Sequence, residues 1–176
     1  MQQIPWFDRK FQFPKEQNVF PATLERLADT PLRLQHKLSA YPADILITRI
    51  DEAWSIQEQL GHLIDLEPLW QGRLQDILEG KDYLREADLS NTQTHEAGHN
   101  DKKLADLLEE FSALRRQTVQ ALRAVTEEQV FLSGLHPRLH QPMRLMDLFI
   151  FVAEHDDHHL VQMTALAARF GHGSHT

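Results

Sequence analysis

The chain has 176 residues with a formal net charge of −8, eleven histidines and no cysteine. A chain of this length usually forms one domain with its own core. Without cysteine, disulfides, thiolate metal sites and a cysteine nucleophile are excluded, so any metal must be held by His, Asp or Glu. The acidic balance and the scattered basic residues argue against a nucleic-acid surface.

The apolar content argues against a membrane protein. The longest apolar run, LFIFVA at 148–153, is too short to cross a bilayer. The first ten residues contain no apolar signal region. We therefore expect a cytoplasmic protein without membrane contact.

The N-terminal part of the chain predicts an arm and a first helix. Residues 1–20 lack a helical period but are rich in aromatic side chains, so they are predicted to lie as an arm on the body of the protein. From Pro21 to about Tyr41, leucines recur at helical spacing, which predicts the first helix. Pro31 lies inside this helix and is expected to kink or divide it.

The middle of the chain predicts two further helices. SIQE at 55–58 matches a capping box, and the apolar period that follows predicts a second helix ending near Leu78. The polar, aperiodic segment 81–100 is predicted to be a long crossover or a mobile loop. Asp101 is then expected to cap a third helix that ends near Val125.

A connector at 126–144 precedes a fourth predicted helix at roughly 145–170, and residues 171–176 are expected to form a disordered tail. No segment shows the pattern of a strand. The sequence therefore predicts an all-α protein, in which a single domain at 21–170 forms a four-helix bundle with long crossover connections.

Three pairs of histidines are spaced four residues apart: His95 with His99, His136 with His140, and His155 with His159. The first pair, in HEAGH, formally matches the zinc-protease pattern, but its polar flanks and Gly98 do not favour a helix anchored in a core. Pro137 disfavours helical backbone at the start of the second pair. We therefore set these two pairs aside.

The third pair lies inside the fourth predicted helix. His155 and His159 share one face, at the edge of the apolar arc, and His62 occupies the same edge of the second helix. Three imidazoles with an open coordination position form a catalytic type of metal site, in which the metal lowers the pKa of bound water. The spacing equally fits unconnected, half-buried histidines that hydrogen-bond to their neighbours.

Three charged residues point into the predicted apolar faces: Glu67, Arg115 and Asp156. Because an unpaired buried charge is very costly, Arg115 is predicted to hydrogen-bond to Glu67, Asp156 or both. One interpretation is a structural ion network; for Asp156, orientation of the histidines or a role as base are alternatives. Gln162 lies on the histidine face and is a candidate to line a pocket.

Three segments, in this order and spacing, resemble the DinB/YfiT-like superfamily of metal-binding four-helix bundles: WSIQEQLGHLIDLEPLWQGRL (54–74), LLEEFSALRRQTVQAL (107–122) and FVAEHDDHHLVQMTAL (151–166). The resemblance implies that His62, His155 and His159 bind one divalent metal ion, commonly nickel or zinc, with water completing the site. Iron and manganese are alternatives, since imidazole suits several metals. The resemblance also implies a homodimer, as found in many members.

The resemblance implies an enzyme acting on a small-molecule substrate, but the reaction stays open. In one hypothesis the metal activates water, as in a hydrolase, or a low-molecular-weight thiol such as bacillithiol or mycothiol, as in an S-transferase. In a second, the chain is a metal-binding stress-response module without turnover. In a third, it is an interaction protein whose histidines are incidental. No segment of the sequence favours one of these hypotheses over the others.

Overall fold

The computed structural model describes residues 3–15 and 17–171. Four long helices form a bundle, which confirms the predicted fold class, and shorter elements lie in the connections. The elements in chain order are a 3-10 helix at Trp6–Asp8, α1 at Phe20–Leu38, α2 at Ala43–Ile47, α3 at Ile56–Leu78, α4 at Thr92–Glu96, a 3-10 helix at His99–Asp101, α5 at Leu104–Arg123, a 3-10 helix at Gln129–Phe131, β1 at Ser133–His136, β2 at Gln141–Arg144 and α6 at Leu145–Gly171.

The start of α3 follows from its sequence. The Ser55 side chain accepts a hydrogen bond from the backbone N–H of Glu58 at 3.1 Å, and the Glu58 carboxylate accepts one from the backbone N–H of Ser55 at 2.9 Å. This reciprocal pair is the predicted capping box, and it satisfies two donors that the helix itself leaves free. The helix therefore begins at a defined residue, six positions before His62.

Two local expectations are corrected. Pro31 does not divide helix α1, which runs unbroken from Phe20 to Leu38 and packs against α5 and α6, with buried side chains before and after the proline. Helix α5 is not capped by Asp101. That residue belongs to the 3-10 turn before it, and Lys103 occupies the N-cap position without a side-chain hydrogen bond.

The bundle has a crossed connectivity. Helices α1 and α3 each pack mainly against α5 and α6, so α1 lies diagonally opposite α3 and α5 lies diagonally opposite α6. The connections 39–55 and 124–144 therefore cross the bundle, whereas 79–103 joins two neighbouring helices. The prediction of a crossover at 81–100 was therefore wrong. That segment contains α4 and a 3-10 turn, and both pack on α3.

A small β-hairpin interrupts the otherwise helical fold, where no strand was predicted. β1 and β2 pair antiparallel, with Ser133 opposite Arg144 and His136 opposite Gln141. Each strand has four residues, which is too short for an alternating pattern to stand out in the sequence. The hairpin turn includes His140 in the left-handed region, with φ of 51°.

The N-terminal segment packs against α6. The ring of Trp6 lies 4.9 Å from that of Phe151, and the ring of Phe11 lies 4.8 Å from the same residue, measured between centroids. This contact brings aromatic side chains from the start of the chain to the middle of α6. It makes the segment part of the surroundings of His155.

Within residues 3–15 and 17–171, every helix is too short or too polar to cross a membrane. Gly171, the first residue of the predicted tail, is instead the final residue of α6. The rest of that tail, 172–176, lies outside the described residues.

Candidate metal centre

The structure brings three histidines together between two neighbouring helices. His62 projects from α3, and His155 and His159 project from successive turns of α6. Each offers a ring nitrogen that lies within 4.8 Å of the other two, and the Nε2 atoms of His155 and His159 are 3.1 Å apart. Residues four apart share a helix face, so the packing of α3 on α6 completes the cluster.

Neighbouring side chains fix two of these rings. Thr94 on α4 donates its hydroxyl proton to Asp65 at 2.8 Å, so it must accept from Nδ1 of His62, which lies 3.2 Å away. The side-chain oxygen of Gln59 lies 2.5 Å from Nδ1 of His159. In both rings the proton therefore sits on Nδ1, and Nε2 is left with a free lone pair.

Burial keeps the cluster neutral. Burial lowers the pKa of His62 to about 4, with the Asp65 carboxylate partly opposing this shift and neighbouring histidines adding to it. Burial also holds the pKa of His155 and of His159 well below the ordinary value, again reinforced by their neighbours. Neutral imidazole is the form that binds a metal ion, and Nδ1 of His155 has no hydrogen-bond partner among the described residues. The donor set therefore fits a divalent metal ion.

The cluster opens onto a cavity of about 600 Å³. Aromatic side chains form much of its wall: Trp6 and Phe7 from the N-terminal segment, Trp54 before α3, Trp70 on α3 and Phe151 on α6. The ring of Trp6 lies 4.9 Å from that of His155, and that of Trp54 lies 4.7 Å from that of His62. A ligand of a few rings would thus contact both the aromatic wall and the three histidines.

The three predicted charged residues meet in the centre of the bundle. Arg115 donates from Nε to Glu67 at 2.8 Å, and from Nη1 and Nη2 to Asp156 at 2.5 and 3.0 Å. Thr118 donates to Glu67 at 2.6 Å, and Thr30 donates to Asp156 at 2.9 Å. All five side chains are buried, and together they tie α1, α3, α5 and α6 to one another. We call this set the polar layer.

The polar layer separates two apolar clusters, one around Trp70 and Phe149 and the other around Leu60 and Phe111. Both oxygens of Asp156 bind Arg115, one also binds Thr30, and Asp156 does not line the cavity. The suggested roles of Asp156 as a base, or as a direct partner of the histidines, are therefore not supported by its contacts.

Sequence reasoning missed the contribution of the HEAGH segment. His99 is buried and its Nε2 lies 2.9 Å from the carboxylate of Asp65, which in turn accepts from Thr94 beside His62. Gly61 makes this docking feasible, because a Cβ there would lie 2.2 Å from the His99 ring. The expectation that this segment is not held against a core was wrong. His95 and His99 nevertheless do not form a metal cluster within the described residues.

Other polar side chains also line the cavity, and most of them were not predicted from the sequence. His136 is buried at the end of β1 and lines the cavity with Arg73 and Arg138. His158 is buried in the cavity wall, with its ring 5.5 Å from that of Trp6. Gln162 lines the cavity, and its side chain donates to Gln3 at 3.1 Å. Only the last of these positions was indicated by helical spacing.

The fold and the site together define a class of protein, namely a four-helix bundle with crossed connections and a three-histidine cluster that faces a cavity. A sequence profile of the DinB superfamily matches residues 12–163, and the chain belongs to that superfamily. The resemblance seen in the three helical segments is thereby confirmed.

One solved structure extends the comparison. YfiT from Bacillus subtilis, described as a probable metal-dependent hydrolase with an unusual four-helix bundle topology, is similar with a TM-score of 0.77. The two chains share 20% identity, and the match covers 91% of this chain and 94% of that one. At this identity the likeness shows the fold alone. A search among curated proteins finds no significant match.

Proposed function

We propose that this chain binds one divalent metal ion through His62, His155 and His159 and acts as a metal-dependent hydrolase or as an S-transferase for a low-molecular-weight thiol. The observation that supports this proposal is the convergence of three neutral, buried imidazoles on an open cavity. A metal that only braced the bundle would need no such opening. The description of YfiT as a probable metal-dependent hydrolase is consistent with the first form of the proposal.

The residues around the cluster have defined tasks in this proposal. Gln59 and Thr94 keep a proton on Nδ1 of His159 and His62, so that each Nε2 can serve as a ligand. The aromatic wall orients the substrate and limits its contact with water. When bound, a divalent metal supplies Lewis acidity that lowers the pKa of an adjacent water or thiol.

The identity of the metal and of the nucleophile belongs to the proposal. Imidazole ligands suit nickel and zinc, and also iron or manganese. Because the chain has no cysteine, a thiol nucleophile would have to be an external small molecule. A homodimer is a further part of the proposal, taken over from the resemblance to the superfamily.

A turnover screen tests the proposal. Purified protein is supplied in turn with nickel, zinc, manganese or iron and assayed for ester and amide hydrolysis, and for thiol consumption in the presence of electrophiles. We expect turnover with at least one metal and its loss after chelation, with His159→Ala as the inactive control. If metal binds but no assay shows turnover, the non-catalytic metal-binding module is the better description.

Thr94→Val should weaken metal binding about 10- to 100-fold, the usual effect of removing a group that orients a metal-binding histidine. Without the acceptor at Nδ1, the His62 proton is free to move to Nε2, which would then lose its lone pair. The measurement is a competition titration against a chromophoric chelator.

The matched control is Thr92→Val, on the same short helix. Its hydroxyl is exposed and contacts Ser90, so this variant should bind metal as the wild type does. Equal metal affinities of Thr94→Val and the wild type would contradict the orienting role of Thr94.

A further inference from the structure

Two arginines line the cavity beside the histidine cluster. Arg73 projects from α3, and Arg138 lies in the turn between β1 and β2. In the described part of the chain, neither guanidinium forms an ion pair with a carboxylate. Asp76, the carboxylate that acts electrostatically on Arg73, is instead bonded to Arg85 and Lys81.

Arg73 is held rigidly in the wall. Only 2% of the residue is exposed, and its Nε donates to the backbone carbonyl of Arg85 at 3.0 Å. The guanidinium carbon lies 5.6 Å from the centroid of the Trp70 ring. Its Nη1 lies 3.0 Å from Nε2 of His136.

The contact between Arg73 and His136 is unfavourable without a third group. Nδ1 of His136 accepts hydrogen bonds from the backbone N–H groups of Arg138 and Leu139, both at 3.2 Å. Burial and the two arginines lower the pKa of His136 to about 3, so the ring is neutral and its single proton lies on Nε2. Nε2 of His136 and Nη1 of Arg73 are then two hydrogen-bond donors that face each other without an acceptor between them.

Arg138 presents a third unsatisfied donor. Its Nη2 is buried and has no hydrogen-bond partner among the described residues. The guanidinium carbon lies 5.2 Å from the Phe7 ring and 5.9 Å from the Phe151 ring, so aromatic contacts hold it at the cavity. Buried donors without acceptors are costly, and an anionic group bound at this wall would supply acceptors for them.

Two acidic residues also line the cavity, but they do not occupy this position. Glu86 and Asp88 are both exposed, and the Asp88 carboxylate accepts hydrogen bonds from Ser90 and Thr92. The buried part of the wall therefore combines positive charge with aromatic surface. Such a wall favours an anion that also carries an apolar group.

We propose that the cavity selects small molecules with an apolar body and one anionic group of the carboxylate type, bound by Arg138 and Arg73 with His136. The apolar body would lie against Trp6, Trp54 and Trp70. This inference rests on the proposed function in one respect: the bound molecule is then the substrate, and its reactive end lies at the three histidines.

Binding of benzoate and of its neutral analogue benzamide tests the inference. The three cavity tryptophans provide a fluorescence signal, and titration calorimetry provides a second readout. The full chain is used as purified and after chelation, since a carboxylate could otherwise bind a metal directly. We expect benzoate to bind about tenfold or more tightly than benzamide in both preparations, as one charge-assisted hydrogen bond would give.

Arg138→Ala should weaken benzoate binding about 10- to 100-fold and leave benzamide binding unchanged. Arg138→Gln, which keeps part of the apolar stem over Phe7, should behave in the same way and guards against misfolding of the first variant. The matched control is Arg116→Ala, which removes the same charge from an exposed position outside the cavity. Benzoate binding by this control should equal that of the wild type.

Equal binding of benzoate and benzamide, including no detectable binding of either, would overturn the inference. So would unchanged benzoate binding by folded Arg138→Ala and Arg138→Gln. Metal content separates the two proposals, because the Arg138 variants should retain the metal of the wild type. Equal binding of benzoate and benzamide by wild-type protein that holds its metal refutes only the anion site, whereas a preference for benzoate in a chain that takes up no metal refutes only the metal centre.

Discussion

His155→Ala is expected to abolish stoichiometric metal binding, whereas His158→Ala is expected to retain it. Both residues are buried histidines that line the cavity, three positions apart on α6. Only His155 offers a nitrogen to the three-histidine cluster. The reduction in metal affinity should exceed the roughly 10- to 100-fold that is typical when only an orienting neighbour is removed.

The measurement is the metal-to-protein ratio after dialysis, followed by a chelator competition titration of each variant. Circular dichroism confirms that both variants remain helical. A metal content of His155→Ala equal to that of the wild type would show that the three nitrogens do not form the site. Equal losses in His155→Ala and His158→Ala would show that cavity shape, and not ligation, controls metal content.

Arg115→Met should lower the free energy of unfolding by about 3–5 kcal/mol, the usual effect of removing one member of a buried ion network. Burial alone lowers the pKa of Arg115, but the charges of Asp156 and Glu67 more than compensate and raise it. The variant leaves both carboxyl groups in the core without the cation that they contact. Urea denaturation gives the measurement.

Arg116→Met is the matched control, because Arg116 follows Arg115 on α5 but is exposed. Its effect should stay within about 0.5 kcal/mol. A triple variant, Arg115→Met with Glu67→Leu and Asp156→Leu, should recover part of the lost stability, since it removes all three charges together. A loss below about 1 kcal/mol in Arg115→Met would mean that water or another cation replaces Arg115 in the polar layer.

The helices, and the residues on their buried faces, could be predicted because the sequence signals for both are local. The capping box fixed the start of α3, and the 3.6-residue period indicated which faces of α3 and α6 are buried. The period therefore placed His62, and the pair His155 and His159, at the edges of two apolar arcs, whereas their joint role as metal ligands was implied by the resemblance to the superfamily. The same reasoning indicated that Arg115 has buried acidic partners, because charges inside an apolar arc require them.

The connections could not be predicted, because tertiary contacts decide their structure. Nothing near Thr94 or His99 in the sequence indicates that they pack beside His62. Their partner Asp65 lies on α3, and room for His99 depends on Gly61. The HEAGH segment has too little apolar surface to signal docking, yet hydrogen bonds hold it. A glycine directly before His62 was the only local indication of a close approach there.

The hairpin and the arginines of the cavity were missed for a related reason. Four-residue strands give too few positions for a periodic pattern, and β1 and β2 are stabilised by pairing with each other. Arg73 was hidden among the polar residues of α3, although it is almost fully buried. Its environment depends on His136 and Arg138 in the hairpin, 63 and more positions later.

The histidine cluster joins two helices that lie far apart along the chain. His159 on α6 contacts Gln59 on α3, which is 100 positions earlier. At about 5–20 residues per second, a ribosome needs about 5–20 s to synthesise this interval. During that time His62 is a lone imidazole on a growing chain and cannot hold an ion firmly. If the three histidines bind a metal ion as proposed, metal loading would therefore follow translation of α6 and closure of the bundle.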